Sequence, residues 1–102
     1  MLYQIRFAPE ARDDLLKLYD FIAAQSGAAR AIAYIGRIEA FCLEFERFPQ
    51  RSIARDDVLP GLRLVGFEKR ITLAFHIAGD AVVFDRVLYG GRQFPLEEDL
   101  PE

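Results

Sequence analysis

Two helical segments joined by only a few residues constrain the fold of this chain more than any other feature of its sequence. Apolar residues recur at helical spacing over 9–24, which predicts an amphipathic helix. Gly27 follows as an end signal, because glycine accepts the left-handed backbone that caps a helix. A second apolar stripe runs over 28–47 and stops before Pro49. A connection of two or three residues forces the two helices into an antiparallel hairpin.

Alternating apolar and polar residues on either side of the hairpin predict β-strands. Residues 3–7 show the two-residue period of a strand with one buried face. Three further strands are predicted over 62–67, 70–78 and 81–88, after a polar connector over 49–61. We therefore expect an α+β domain of order β-α-α-β-β-β, a small antiparallel sheet with the helical hairpin packed on one face. If the first two strands pair, they should be antiparallel, because the two helices carry the chain down and back.

The distribution of charge disfavours several classes of protein. The 102 residues carry a net charge of −3, and the stretch 95–102 holds four acidic residues and no basic one. The body over 1–94 is then one nearly neutral domain, followed by an acidic tail that we expect to be mobile. Strong direct binding to nucleic acid depends on neutralising many phosphates, so it is disfavoured.

Because no apolar run approaches the roughly 20 residues of a membrane span and no signal peptide is recognisable, we expect a cytoplasmic protein without membrane contact.

The inventory of reactive side chains is small. Cys42 and His76 are the only cysteine and histidine, so we expect no metal site and no internal disulfide. Cys42 lies on the apolar stripe of the second helix, and the aromatic residues around it are either core or the wall of a ligand pocket, with core favoured. Asp13 and Asp14 are adjacent, and neighbours on a helix do not face each other, so this pair is predicted to be a solvated helix start. No P-loop, nucleophile elbow or dinucleotide fingerprint is present, and we expect no cofactor.

One arginine interrupts an otherwise apolar strand. Arg86 stands at the start of a segment that continues into a Gly-Gly turn, and a cation on the buried side of a strand needs partners. Two interpretations are open: a structural ion pair, with Glu68 or a neighbour of Asp85, and a functional cation. The candidates for phosphate clamping or proton transfer are Arg63, Arg70, Arg86, Arg92, His76, Tyr89 and Glu68. No spacing within this set is diagnostic of a catalytic site.

The order of the motifs along the chain resembles a known family. A first strand over 3–9 leads to an Ala-Arg-Asp-Asp-Leu segment at 11–15 and a helical hairpin that ends at Phe48-Pro49. Leu-Pro-Gly-Leu-Arg at 59–63 opens the sheet, and Arg-Val-Leu-Tyr-Gly-Gly-Arg at 86–92 closes it. Over about residues 2 to 94 this arrangement resembles the ParE branch of the RelE/ParE toxin superfamily.

The resemblance implies the toxin of a type II toxin–antitoxin system. Such a toxin would be neutralised by a ParD-like antitoxin and would poison DNA gyrase. RelE-type relatives are instead ribosome-dependent mRNA endoribonucleases. The acidic overall charge, a connector without a lysine cluster, and the absence of a histidine beside Tyr89 favour a protein-binding poison over an enzyme. A third possibility is an inactive or regulatory partner that keeps only antitoxin binding.

Two sets of site residues follow from the resemblance. No residue is expected to be catalytic. The surface that contacts the target is predicted to include Arg63, Arg86, Tyr89 and Arg92. The surface that contacts the antitoxin is predicted to include Leu18, Tyr19, Ile22 and Tyr34.

Overall fold

The computed structural model describes residues 2–90, in which two helices pack on a five-stranded sheet. The predicted target residue Arg92 and the predicted tail 95–102 lie outside the described residues. The elements are β1 (Gln4–Phe7), α1 (Pro9–Ser26), α2 (Ala28–Leu43), β2 (Ile53–Ala54), β3 (Arg63–Phe67), β4 (Ile71–Ala78) and β5 (Ala81–Tyr89). Two short 3₁₀ turns, Glu44–Glu46 and Pro49–Arg51, follow α2. The α+β class and the hairpin on one sheet face are confirmed.

A single glycine, Gly27, connects the two helices of the hairpin. Gly27 has a φ of 93°, and its backbone N–H donates to the Ala23 carbonyl at 3.0 Å, which closes the last turn of α1. A residue with a Cβ is strained at this φ, so the glycine is the reason that α2 can start immediately at Ala28. The prediction ended α1 two residues too early. It also continued α2 through a segment that is 3₁₀ helix from Glu44.

The sheet is mixed, and this corrects the expectation of an antiparallel sheet. The strand order is β1-β5-β4-β3-β2, and β1 pairs with β5 in parallel. All other neighbours are antiparallel. The predicted second strand is β3, which does not pair with β1 and runs parallel to it. The cause is β2, a two-residue strand inside the predicted connector that reverses the chain once more before β3 begins.

The core lies between the hairpin and the sheet, and aromatic rings fill its centre. Phe45 is fully buried, and its ring centroid lies 5.4 Å from that of Phe75 and 6.0 Å from that of Phe84. The stripe of α2 and its following turn is therefore core. Cys42 is fully buried beside these rings, and burial raises the pKa of its thiol to about 12, so it is an unreactive core residue as predicted.

The last strand, β5, contains a β-bulge that changes which way its following side chains point. Phe84 pairs with Phe75 and Arg86 pairs with Ala74, so Asp85 is an extra residue in β5. A bulge of this kind bends a strand and turns a side chain out of the regular alternation. It lies where β1 ends, since Phe7 is the last residue of β1 and pairs with Phe84.

Within residues 2–90, no helix is long and apolar enough to cross a membrane.

Candidate functional site

A carboxylate of the first helix occupies the sheet edge that β1 leaves open. Beyond Phe84, β5 continues without a β1 partner. There the Asp14 carboxylate accepts two hydrogen bonds from Arg86, from Nε at 2.7 Å and Nη2 at 2.9 Å. It also accepts one from the backbone N–H of Val87 at 2.8 Å. One side chain thus satisfies a guanidinium and an edge N–H that would otherwise lack acceptors.

This geometry gives Arg86 a structural partner that the sequence did not predict. Glu68 is not the partner, and the Asp14 side chain is only 10% exposed, so the expectation of a solvated Asp13-Asp14 pair is wrong for Asp14. Asp13 is 58% exposed and pairs with Lys17 one turn along α1, as a solvated residue would. The hydrogen bonds that Arg86 donates to Asp14 stabilise the charged guanidinium. They raise the pKa of Arg86 above its usual value.

Arg63, the second predicted target residue, braces the connector. Its Nε donates to the Ser52 hydroxyl at 2.6 Å, and its Nη2 donates to the Gln50 carbonyl at 3.1 Å. These bonds tie the segment before β2 to the start of β3. A guanidinium used in this way contributes to the fold whether or not it also contacts another molecule.

The predicted target residues are not brought together. Arg63 pairs with Phe75 at one end of β4, whereas Tyr89 pairs with Ile71 at the other end. Four residues of strand separate these positions, which corresponds to about 13 Å along the sheet at roughly 3.3 Å per residue. The structure therefore supplies no single clamp that contains both side chains. Their role in target binding stays a prediction.

The predicted antitoxin residues divide between core and surface. Leu18 is only 5% exposed and belongs to the core, so it contributes no accessible contact area. Tyr19 is partly exposed, and Ile22 and Tyr34 are partly buried residues at the margin of the core. The two helices also carry exposed apolar residues that were not predicted as contacts: Leu16, Phe21 and Ile32.

An open cavity of about 570 Å³ lies where the hairpin turn, the β3–β4 turn and the end of β5 meet. Ile22 and Tyr34 of the predicted antitoxin set and Tyr89 of the predicted target set all line it. The Phe21 ring lies 5.7 Å from that of Tyr89 and forms part of the same wall. The cavity is the place in the described part of the chain where the two predicted surfaces meet.

The walls of this cavity are basic. Arg30, Arg37 and Arg70 line it together with one acid, Glu68. Arg37 and Glu68 form a two-point ion pair, with both N–O distances 3.0 Å, and this pairing lowers the pKa of Glu68 below its usual value. Burial raises the pKa of the Tyr34 phenol, which is therefore neutral at physiological pH. The basic and aromatic walls of this cavity suit a ligand that has both a negative group and an apolar group.

The opposite face of the sheet carries a second group of interest. His76 Nδ1 lies 2.7 Å from an Asp85 carboxylate oxygen, on the face that the helices do not cover. The imidazole is partly exposed. Such a pair fixes the orientation of a ring whose other nitrogen can exchange a proton with a ligand. His76 was predicted as a candidate, but its partner Asp85 was not, because the pattern of a single strand does not give the register that sets β5 against β4.

The family model described as ParE toxin of the type II toxin–antitoxin system, parDE, matches residues 5–94. No curated protein matches the chain significantly.

Two solved structures share the fold. A chain of the chromosomal ParDE toxin–antitoxin system from P. aeruginosa superposes with a TM-score of 0.77 at 18% identity, over 87% of this chain and 97% of that one. A chain of the toxin–antitoxin complex RelBE2 from Mycobacterium tuberculosis superposes with a TM-score of 0.63 at 24% identity, over 87% of this chain and 99% of that one.

Proposed function

The chain belongs to the ParE toxin family of type II toxin–antitoxin systems, and from this premise we propose that it arrests growth by binding and poisoning DNA gyrase. We further propose that it acts in the cytoplasm and that a ParD-like antitoxin neutralises it. A binding mechanism is favoured over a nuclease because two candidate arginines already have partners within the chain. Arg86 and Arg63, which a phosphate clamp would use, are engaged in contacts within the chain.

The overall charge supports the same choice. Residues 2–90 carry as many acidic as basic side chains. A nuclease that holds RNA by its phosphates gains affinity from an excess of cations on one face, and the helix-free sheet face here instead includes Asp85. A protein target needs no such excess, because buried apolar area and a few paired charges suffice.

A ribosome-dependent mRNA endoribonuclease of the RelE type is the second candidate, and one observation favours it. The pair of His76 with Asp85 presents an acid–base group on the open sheet face. Within residues 2–90 the imidazole forms no side-chain hydrogen bond other than that with Asp85, and its side chain is 42% exposed. His76→Ala separates the two mechanisms, because it removes the acid–base group from a partly exposed position without opening the core.

The decisive assay compares two targets with the same purified protein. We expect gyrase cleavage complexes to accumulate and supercoiling to stop, while a cell-free translation extract continues to synthesise protein. We also expect His76→Ala to arrest growth as strongly as the unchanged protein. Arrested translation without cleavage complexes, together with loss of toxicity in His76→Ala, would instead establish the nuclease.

Neutralisation is tested by expression of this chain with and without a ParD-like antitoxin. Growth should stop when this chain is expressed alone and resume when both proteins are expressed. Normal growth in the presence of soluble, folded protein would instead indicate an inactive partner that keeps only a regulatory role.

A further inference from the structure

The basic cavity is not explained by the fold. It lies between the C-terminal end of α1, the first half of α2 and the β3–β4 turn. When a cluster of charged side chains serves the fold, its cations normally form ion pairs with nearby carboxylates. One such pair is present here, between Arg37 and Glu68. The remaining two cations are Arg30 and Arg70. Within residues 2–90 neither of them forms an ion pair with a carboxylate.

The unpaired cations lie against a partly apolar wall. Within residues 2–90, the Arg70 side chain donates one hydrogen bond, a long one of 3.4 Å to the Tyr89 hydroxyl. Phe21 is 47% exposed beside Tyr89, which is a high exposure for a large aromatic ring on a small domain. A ligand that fills this space therefore gains from presenting a negative group and an apolar group close together.

A buried hydroxyl points to the same conclusion. Tyr34 lines the cavity, and its phenolic oxygen is buried without a hydrogen-bond partner among residues 2–90. An unpaired buried hydroxyl carries a desolvation cost, which an acceptor supplied by a ligand would remove. Because the phenol is neutral, it can donate to a carboxylate.

We propose that this cavity seats an acidic segment of the antitoxin, with a carboxylate held by Arg30 and Arg70 and an adjacent apolar side chain packed on Phe21. The proposal rests on the proposed function, since it requires an antitoxin. Charge complementarity favours an acidic peptide over a nucleic acid, because Arg30 and Arg70 beside an apolar wall can hold one carboxylate but are too few to neutralise a phosphate backbone. The cavity is also continuous with Ile22 and Tyr34, two residues already predicted to contact the antitoxin.

The test measures the affinity of the 102-residue chain for a purified ParD-like antitoxin. Arg30→Gln and Arg70→Gln each replace a cation with a shorter, neutral polar side chain. We expect each to weaken binding about tenfold or more, which is the range for a lost hydrogen bond to a charged group. Lys69→Gln is the matched control, because Lys69 is an exposed cation in the same turn and does not line the cavity. It should change the dissociation constant less than twofold.

A second measurement tests the ligand chemistry directly. The peptide Ac-Leu-Glu-Phe-Glu-NH2 should shift the NMR signals of Tyr34 and Arg70, and its glutamine counterpart should shift them at least fivefold less at equal concentration. Equal shifts with both peptides, or complete competition by millimolar inorganic phosphate, would overturn the proposed recognition of a carboxylate with its apolar neighbour.

The outcomes also separate this inference from the function on which it rests. If the antitoxin binds the unchanged chain and both arginine variants equally tightly, the cavity is not its seat, while the toxin assignment stands. If the antitoxin does not bind the unchanged chain at all, the proposed function fails and this inference fails with it. Arg30 and Arg70 are exposed, so the variants should keep the thermal unfolding curve of the parent, and that curve is the folding control.

Discussion

Replacing Asp14 by alanine tests whether one carboxylate holds the first helix to the last strand. Asp14 accepts two hydrogen bonds from Arg86 and one from the N–H of Val87. Alanine would leave an edge N–H without an acceptor and a guanidinium that is only 26% exposed without its counter-charge. Breaking a fully buried ion pair costs about 3–5 kcal/mol. Because water can still solvate part of the guanidinium, we expect the free energy of unfolding to fall by about 2–3 kcal/mol.

Urea titration followed by circular dichroism measures this change, and a thermal scan checks it. A loss of about 2–3 kcal/mol should lower the melting temperature by about 10–20 °C in a domain of this size. Asp13→Ala is the matched control, since Asp13 is the preceding residue and its carboxylate is solvated. It should change the free energy of unfolding by no more than about 0.5 kcal/mol. If both variants lose equally little, the argument that Asp14 is a structural anchor is wrong.

The same pair of residues decides the open question about Arg86. Arg86→Ala removes the guanidinium, and Asp14→Ala leaves it in place without its partner. If Arg86 acts only through the fold, both variants lose growth inhibition in proportion to the fraction of folded protein. If Arg86→Ala abolishes growth inhibition at a temperature where both variants are folded, and Asp14→Ala remains toxic, then Arg86 contacts the target.

Three further predictions concern the core, a surface ion pair and the thiol. Phe45→Ala should lower the free energy of unfolding by about 3–5 kcal/mol in urea titration, because Phe45 is fully buried among aromatic rings. Phe48→Ala, at a ring that is 67% exposed, should change it by less than 1 kcal/mol on the same scale. Arg37→Gln should raise the pKa of Glu68 towards its usual value in a carboxyl NMR titration. The pair therefore supports the fold at neutral pH, and its contribution is lost as the pH falls through the lowered pKa of Glu68. Cys42 should resist thiol reagents at pH 8 until urea unfolds the chain, and labelling of the folded protein would contradict its burial.

Local features of this fold were predictable, because they depend on residues that are close in sequence. The helical stripes over 9–24 and 28–47 and the end signal at Gly27 each depend on spacing within a few residues. The turns between the last three strands were predicted for the same reason. Lys69 and Gly79, one in each turn, both adopt positive φ, as tight hairpins require.

Contacts between residues far apart in sequence were not predictable, because the alternation of apolar and polar residues in a strand does not indicate which strand pairs with it. The parallel pairing of β1 with β5 joins Ile5 to Val82 across almost the whole chain. The hydrogen bond that Arg86 donates to Asp14 spans a similar separation. A helical projection does place Asp14 four residues before the buried Leu18, on the inward side of α1, and this signal would have predicted its burial.

The position of Tyr89 links the two proposed surfaces. It was predicted as a target contact, and it lines the cavity in which we place the acidic segment of the antitoxin. An antitoxin seated between Arg30 and Arg70 would cover the exposed edge of the Tyr89 ring. If Tyr89 contacts gyrase, neutralisation then needs no conformational change, because one molecule excludes the other from the same ring. Antitoxin and gyrase should accordingly compete for the chain, and an Arg70→Gln toxin should require more antitoxin to release gyrase than the unchanged toxin does.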